Sequence, residues 1–290
     1  MQINSLFVFI IIPVYNRKEI TLKCLETLRS NGDLDKYHVV VVDDGSIDGT
    51  SQAIAERYPQ IIILQGNGNL WWTGAIKLGM EYAYNNGAEY ILWLNNDVLP
   101  AKSTLSLMID FLQENPKSMV APACKLYGKN TIIENGGVGR AAFKAIPNQL
   151  ISVENISGYC AGFPAEICEI IGYPDAYKFP HYYGDDSYTS KIFRAGFKLY
   201  LYGDIFVELL DYDPKREIFW NYLNSVDRDL ISLKKIFFSI KSRYYIPTQY
   251  YYLCNKYDFI VGLIFFILRI SSWLITLVFF KLSKLLCQKE

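Results

Sequence analysis

Residues 5–12 read SLFVFIII: seven of the eight are apolar, with no alternation of inward and outward positions. A strand of that kind needs cover on both faces, the situation of a strand inside a parallel sheet. The run ends abruptly in PVYNR (13–17). Three further runs obey the same rule: YHVVVV (37–42), IIIL (61–64) and YILWL (90–94). Helical patterns lie between them. Residues 18–30 bring Ile20, Cys24, Leu25 and Leu28 to one face. A short helix is expected over 49–58, a longer one over about 73–86, and another after Pro100 through about Glu114. This alternation predicts an α/β fold: a Rossmann-like, mostly parallel sheet with helices on both faces.

Sheets of this kind bind ligands outside the carboxyl ends of their strands. The polar residues of this chain gather at those ends. Pro13–Asn16 follows the first strand, Asp43-Asp44 the second, and Asn95-Asn96-Asp97 the fourth.

Past about residue 120 the pattern loosens. Residues 132–140 are glycine-rich and expected as a hairpin or loop; 158–163 are small and expected to be flexible. PAEICEIIG (164–172) reads as a short helix, GDDSYTSKIFRAG (184–196) as a helix with an acidic start and a glycine stop, and FKLYLYG as a strand. No repeat or low-complexity linker intervenes, so 1–125 and 126–215 are expected as two halves of one domain. Residues 216–290 form a separate C-terminal hydrophobic helical segment. Within it, IVGLIFFILRISSWLITLVFF (260–280) has Arg269 as its one charge and is long enough to cross a bilayer. A charge at mid-span is costly there, and lysines flank the segment on both sides. The expectation is an in-plane or shallow re-entrant helix pair, broken near Ser271-Ser272 and peripheral on the inner, cytoplasmic face of the cell membrane. A true span and a buried core helix are the alternatives.

Lysine plus arginine equals aspartate plus glutamate, 29 each, so no global charge points to nucleic acid. The six cysteines include no CxxC pair, and no basic stretch precedes the first apolar run. Reduced, mostly buried thiols in a cytoplasmic protein without a cleavable signal are expected.

The carboxylates carry the chemistry. In DDGS (43–46), Asp, Gly and Ser are turn formers, or one acid accepts hydrogen bonds from a nucleobase or ribose while its neighbour organises the loop. Asp97 is either a helix cap or a rigidly held acid that bridges to a polyphosphate through Mg²⁺ or Mn²⁺. In the second case Asn96 would donate to a sugar hydroxyl or to a metal-bound water. Asp185 and Asp186 suit a helix start. Alternatively Asp186 is a general base for an attacking hydroxyl, with Asp185 as its orienter or a second candidate. His181 either lines an acceptor site or is structural. Neither GxGxxG nor GxxxxGK[ST] stands at a strand-to-helix turn, against dinucleotide oxidoreductases and P-loop ATPases.

Taken in order, PVYNR, VVVDDGSIDGT (40–50), GNGNLWWTGAIKLGM (66–80), WLNNDVLP (93–100) and YYGDDSYTSKIFRAG (182–196) resemble the inverting glycosyltransferases of the large family 2 group. The likeness spans about residues 6–215, and its flavour is that of the bacterial rhamnosyltransferase-like enzymes of surface polysaccharide assembly. It implies the glycosyltransferase A fold, a nucleotide-diphosphate sugar donor (UDP- or dTDP-linked), Mg²⁺ or Mn²⁺, and a glycan or lipid-linked acceptor. Residues 1–125 would bind the nucleotide sugar, and 126–215 the acceptor and the base. Pro13 and Tyr15 match the loop against the nucleobase, Asp44 the residue that reads the base, and Asp43 its partner. Asn16, Gly68, Asn69, Gly74, Asn95 and Asn96 complete the implied donor site. Asp97 matches the retained metal ligand of a DxD motif whose first acid is here Asn95. Asp186 matches the catalytic base, and Asp185 stands where the family usually has Glu. Gly162 falls in a small-residue stretch near donor sugar and acceptor. Trp71 and Trp72 either stack on a sugar or wedge the helix against the sheet. A nucleotidyltransferase and a non-catalytic nucleotide-sugar-binding scaffold are the competing readings.

Overall fold

A computed structural model describes residues 7–139, 141–211, 223, 230–257 and 259–287 of the 290-residue chain. They group into two compact units, Met1–Ala176 with Gly184–Tyr212, and Tyr177–Tyr183 with Asp213–Glu290.

The first unit opens with β1 (Val8–Val14), α1 (Lys18–Asn31), β2 (His38–Asp43), α2 (Thr50–Arg57), β3 (Ile62–Gln65), α3 (Trp71–Asn85) and β4 (Tyr90–Leu94). Their strands are parallel, in the order β4-β1-β2-β3. Successive residues of β1 face opposite sides, and both sides are dry. Ile10 and Ile12 pack with Leu22, Leu25, Leu28 and Ile54 from α1 and α2; Phe9 and Ile11 pack with Ile76, Met80 and Ala83 of α3. This explains the missing alternation in the sequence.

The chain continues through β5 (Val98–Pro100), α4 (Thr104–Glu114), β6 (Ser118–Leu126), β7 (Ile132–Ile133), β8 (Gly136–Val138), β9 (Ala141–Phe143), β10 (Leu150–Val153), β11 (Asn155–Ile156), β12 (Cys160–Pro164), α5 (Glu166–Ile171), α6 (Gly184–Arg194) and β13 (Lys198–Leu209). The large sheet runs β10-β13-β6-β12-β4-β1-β2-β3, with β5 on β13 and β7 on β6; β11-β8-β9 form a small second sheet. The stretch expected to be flexible is therefore corrected. CAGFP is β12, antiparallel to β4 and β6 in the middle of the sheet. Its small residues are required by packing: a Cβ on Gly162 would lie 2.5 Å from Leu92 Cδ2 and 3.2 Å from Met108 Cε.

The second unit contains α7 (Leu230–Phe238), α8 (Ile246–Lys256) and α9 (Phe259–Cys287). Here the expected break near Ser271-Ser272 is corrected: α9 is one continuous helix. Serine is a fair helix former and both serines are exposed, so nothing interrupts the backbone ladder. Phe259–Phe280 is long and apolar enough to cross a membrane, with mean hydropathy 2.3. One face of α9 packs on its neighbours, Phe266 edge-on to Tyr250 and Trp273 against Phe237 and Tyr244. Arg269 is on that packed side, its Nη1 donating to Gln249 Oε1 at 2.5 Å. Ile260, Ile264, Leu268, Ile275 and Phe279 are exposed. The described cysteines are free, four of them buried, and Cys287 carries no described side chain.

Candidate active site

The carboxyl ends of β1, β2 and β4 are tied into a closed ring of hydrogen bonds. Val14 and Asp43 are register partners, so the loops after β1 and β2 leave the sheet side by side. Asn16 takes a left-handed backbone (φ 48°). Its N–H donates to Ser46 Oγ at 2.8 Å, and its side-chain oxygen accepts the Ile47 N–H at 2.8 Å. Ser46 N–H donates in turn to Asp43 Oδ1 at 2.9 Å, and the Ser51 hydroxyl donates to Asp43 Oδ2.

Asp44, 5% exposed, carries the ring onward. Its Oδ1 accepts the Gly68 N–H at 2.8 Å and its Oδ2 the Trp71 N–H at 2.9 Å. The second donor opens α3, so the carboxylate lies at the positive end of that helix. Trp71 has φ 55°, a conformation that costs an aromatic residue about 1–3 kcal/mol and persists only where its surroundings hold it. The Asp44 bond is one such hold. Both acids of the DDGS loop thus organise backbone. Contact with a nucleobase or ribose would use their remaining lone pairs.

Trp72 closes the gap to β4. Its indole N–H donates to Asn95 Oδ1 at 2.8 Å, and its ring stands edge-on to Trp93, centroids 5.6 Å apart. These contacts wedge Trp72 between α3 and the sheet, and its ring stays partly exposed. Its six-membered ring also lies under Gly158: a Cβ there would come 2.4 Å from Trp72 Cζ2. Gly158 N–H donates to Asp185 Oδ2 at 2.7 Å, and the Asp186 N–H donates to Asp185 Oδ1 at 2.8 Å. Asp185, in the first turn of α6, thus ties that turn to Gly158 and is half-buried. Desolvation, with the neighbouring Asp186 second, pushes its carboxyl up to about 6. The Asp186 side chain accepts no hydrogen bond from another described residue.

Asp97 completes the ring. Arg17 Nη1 donates to its Oδ2 at 3.0 Å, and Arg17 Nη2 donates to Asp211 Oδ2 at 2.6 Å. Burial raises the Asp97 carboxyl; the Arg17 guanidinium opposes that shift. Two sequence expectations take no part in these bonds, and a third belongs to the second unit. Asn96 is buried and its amide donates to Thr21 Oγ1 at 2.9 Å. Gly162 faces the core, not the strand ends, for the packing reason given above. His181 groups with the second unit, its ring against Tyr182 at 4.7 Å. Pro13 lies within β1; Tyr15 is 54% exposed, Asn69 is exposed beside Gly68 (φ 83°), and Gly74 is inside α3 against Leu70. Arg17, Ser46, Gly158 and Asp211 were not singled out from sequence. Arg17 carried a signal: it is the cation of the PVYNR loop, beside two acidic loop tips.

A divalent cation finds few donors here. Among the described residues no group of three or more His, Cys, Asp or Glu side chains could hold one. Asn95 Oδ1 already accepts from Trp72, and Asn96 faces Thr21. Asp97 does fit as a single ligand. It is a hard oxygen donor, its second oxygen has no side-chain partner among the described residues, and its buried charge gains from a cation.

Against this geometry, the sequence profile of the family described as "Glycosyl transferase family 2" matches residues 9–171. Glycosyltransferase AglE of Haloferax volcanii is 27% identical over 213 residues, 69% of this chain and 65% of its own. The poly(ribitol-phosphate) beta-glucosyltransferase of Bacillus spizizenii is 26% identical over 144 residues, 47% of this chain and 21% of its own. The chain thus spans less than two thirds of the length of these relatives. Among solved structures, the Pyrobaculum calidifontis mannosyltransferase PcManGT in complex with GDP-Man and Mn²⁺ superposes with a TM-score of 0.54 at 22% identity, covering 74% of this chain and 59% of that one. GalNAc-T7 with UDP, GalNAc and Mn²⁺ superposes at 0.61 with 11% identity, covering 87% and 51%. These likenesses establish a shared fold.

Proposed function

The chain belongs to glycosyl transferase family 2, and from that premise we propose that it moves a hexosyl or deoxyhexosyl unit from a nucleotide-diphosphate sugar to a hydroxyl of a glycan or lipid-linked glycan, with inversion. One observation carries this reading. Hydrogen bonds through Trp71-Trp72 join the DDGS loop to the Asn95–Asp97 strand end, and Gly158, packed on Trp72, hydrogen-bonds Asp185 at the start of α6. Three acidic motifs distant in sequence thus meet at the strand ends where this fold class binds ligands.

The acceptor oxygen attacks the anomeric carbon as the bond from that carbon to the diphosphate breaks. The hydroxyl proton passes to Asp186, whose carboxylate is not engaged by described protein donors. Asp185 is committed to the N–H groups of Gly158 and Asp186, and so orients the base instead of sharing its task. Asp44 fixes the 66–71 loop, which with Tyr15 and Asn69 would border the nucleoside. Asp97 is the residue that would hold Mg²⁺ or Mn²⁺. When bound, that ion supplies positive charge against the diphosphate. The donor nucleotides named for the structural neighbours are GDP-Man and UDP; a dTDP-linked deoxyhexose such as rhamnose is our preferred donor, on motif likeness alone.

The exposed apolar face of α9, with exposed Lys234, Lys235 and Lys241 in the same unit, suits peripheral attachment to the anionic inner face of the cell membrane, beside a lipid-linked acceptor. A panel of nucleotide sugars with mass detection of product tests the activity. Release of nucleoside diphosphate from one or a few donors is expected; no turnover of any donor, with or without Mn²⁺, contradicts the proposal.

A further inference from the structure

The acids of the site differ in how they are neutralised. Asp43, Asp44 and Asp185 accept from backbone N–H groups or a serine hydroxyl, dipoles built into their loops. Asp97 alone among them is held by a full charge, the guanidinium of Arg17. Backbone donors cannot leave without unfolding a loop. An arginine side chain 31% exposed can swing aside. It also has a second partner. Nη2 reaches Asp211 at 2.6 Å, closer than the 3.0 Å from Nη1 to Asp97. Asp211 is the more open of the two acids, 41% exposed against 13%. Letting go of Asp97 would therefore leave the guanidinium paired.

We propose that Arg17 is a built-in stand-in cation, which neutralises Asp97 in the donor-free enzyme and surrenders it, while kept by Asp211, when a divalent ion arrives with the nucleotide. The inference rests on the reading of Asp97 as the metal's protein ligand. A lone divalent ion must displace a formed ion pair in exchange for one carboxylate, and Asn95 and Asn96 add no charge to help it. An ion that arrives with a diphosphate would bring most of its ligands with it and need only the one carboxylate. Arg17 would thus make metal uptake conditional on donor, and would spare a buried carboxylate from standing uncompensated between turnovers.

The test reads Mn²⁺ binding directly, by the electron paramagnetic resonance signal of the free aquo ion, on the full chain without nucleotide and then with UDP, GDP or TDP. Arg17→Gln is expected to bind Mn²⁺ alone at least about tenfold more tightly than wild type, because the competing charge is gone. Adding Asp97→Asn should erase the gain. Wild type should take up Mn²⁺ measurably only with a nucleotide. An Arg17→Gln protein of native melting behaviour that binds Mn²⁺ alone no better than wild type overturns the proposal, as does a gain that survives Asp97→Asn. If Arg17→Gln does not fold, Asp211→Asn replaces it. Stripped of its alternative partner, Arg17 should cling to Asp97 and weaken Mn²⁺ uptake with nucleotide by roughly threefold or more; unchanged uptake overturns the proposal. Absence of Mn²⁺ binding to wild type with every nucleotide removes the metal reading itself, a result distinct from failure of Arg17 alone.

Discussion

At the scale of single residues, Asp185 is the group whose surroundings set a measurable pH dependence. Its carboxyl is raised from an ordinary 3.8 to about 6, first by desolvation and then by Asp186. A raised acid favours the fold when protonated. Its contribution is complete below about pH 4 and is lost as the pH climbs through 6. At about 1.4 kcal/mol per unit, the loss is of the order of 3 kcal/mol. Denaturant titrations at pH 4 and pH 7 should show that decline in wild type and a clearly smaller one in Asp185→Asn. Equal declines in the two proteins would contradict the assignment. Nothing in GDDSYTSK distinguished the two acids by environment. That came from Gly158, 27 residues upstream, whose N–H Asp185 accepts.

At the scale of elements, the junction of α3 with α6 is the tightest part of the site. Gly184 opens α6 against Thr73 of α3, and Gly158 lies between Trp72 and Asp185. An alanine Cβ at Gly158 would stand 2.4 Å from Trp72 Cζ2 and 3.1 Å from Asp185 Cβ. Gly158→Ala should cost about 1–3 kcal/mol and lower transfer strongly by shifting the indole or the acid pair; unchanged stability and turnover would show that the junction has slack. The strands β1 to β4 were legible because continuous apolar runs have few other uses. β12 was not, since alanine and glycine next to phenylalanine give neither alternation nor a β-branched run. Its strand character comes from its neighbours on both sides. The break expected in α9 failed for a related reason. A charge and two serines looked like an interruption, but Arg269 finds Gln249 on α8 and the serines stay in the ladder.

At the scale of the whole molecule, the catalytic reading and the membrane reading rest on different units and can fail separately. The second unit has an apolar helix with a packed side, which holds Arg269, the one charge of residues 260–280, and an open side. Flotation with anionic vesicles should carry the full chain upward, and Leu268→Asp with Ile275→Asp should reduce that; no flotation of wild type contradicts peripheral attachment. In the first unit the loop tips were legible as a set, because polar clusters at three strand ends are conspicuous against apolar runs. The bonds that join them were not, since Trp72 to Asn95 and Arg17 to Asp97 are contacts made only by folding. The central claim is that Asp186 receives the acceptor's proton at the edge of that ring. The most direct measurement is single-turnover sugar transfer by Asp186→Asn, alongside its affinity for the nucleoside diphosphate. We predict transfer reduced by about a hundredfold or more with nucleotide affinity retained; undiminished transfer would contradict it.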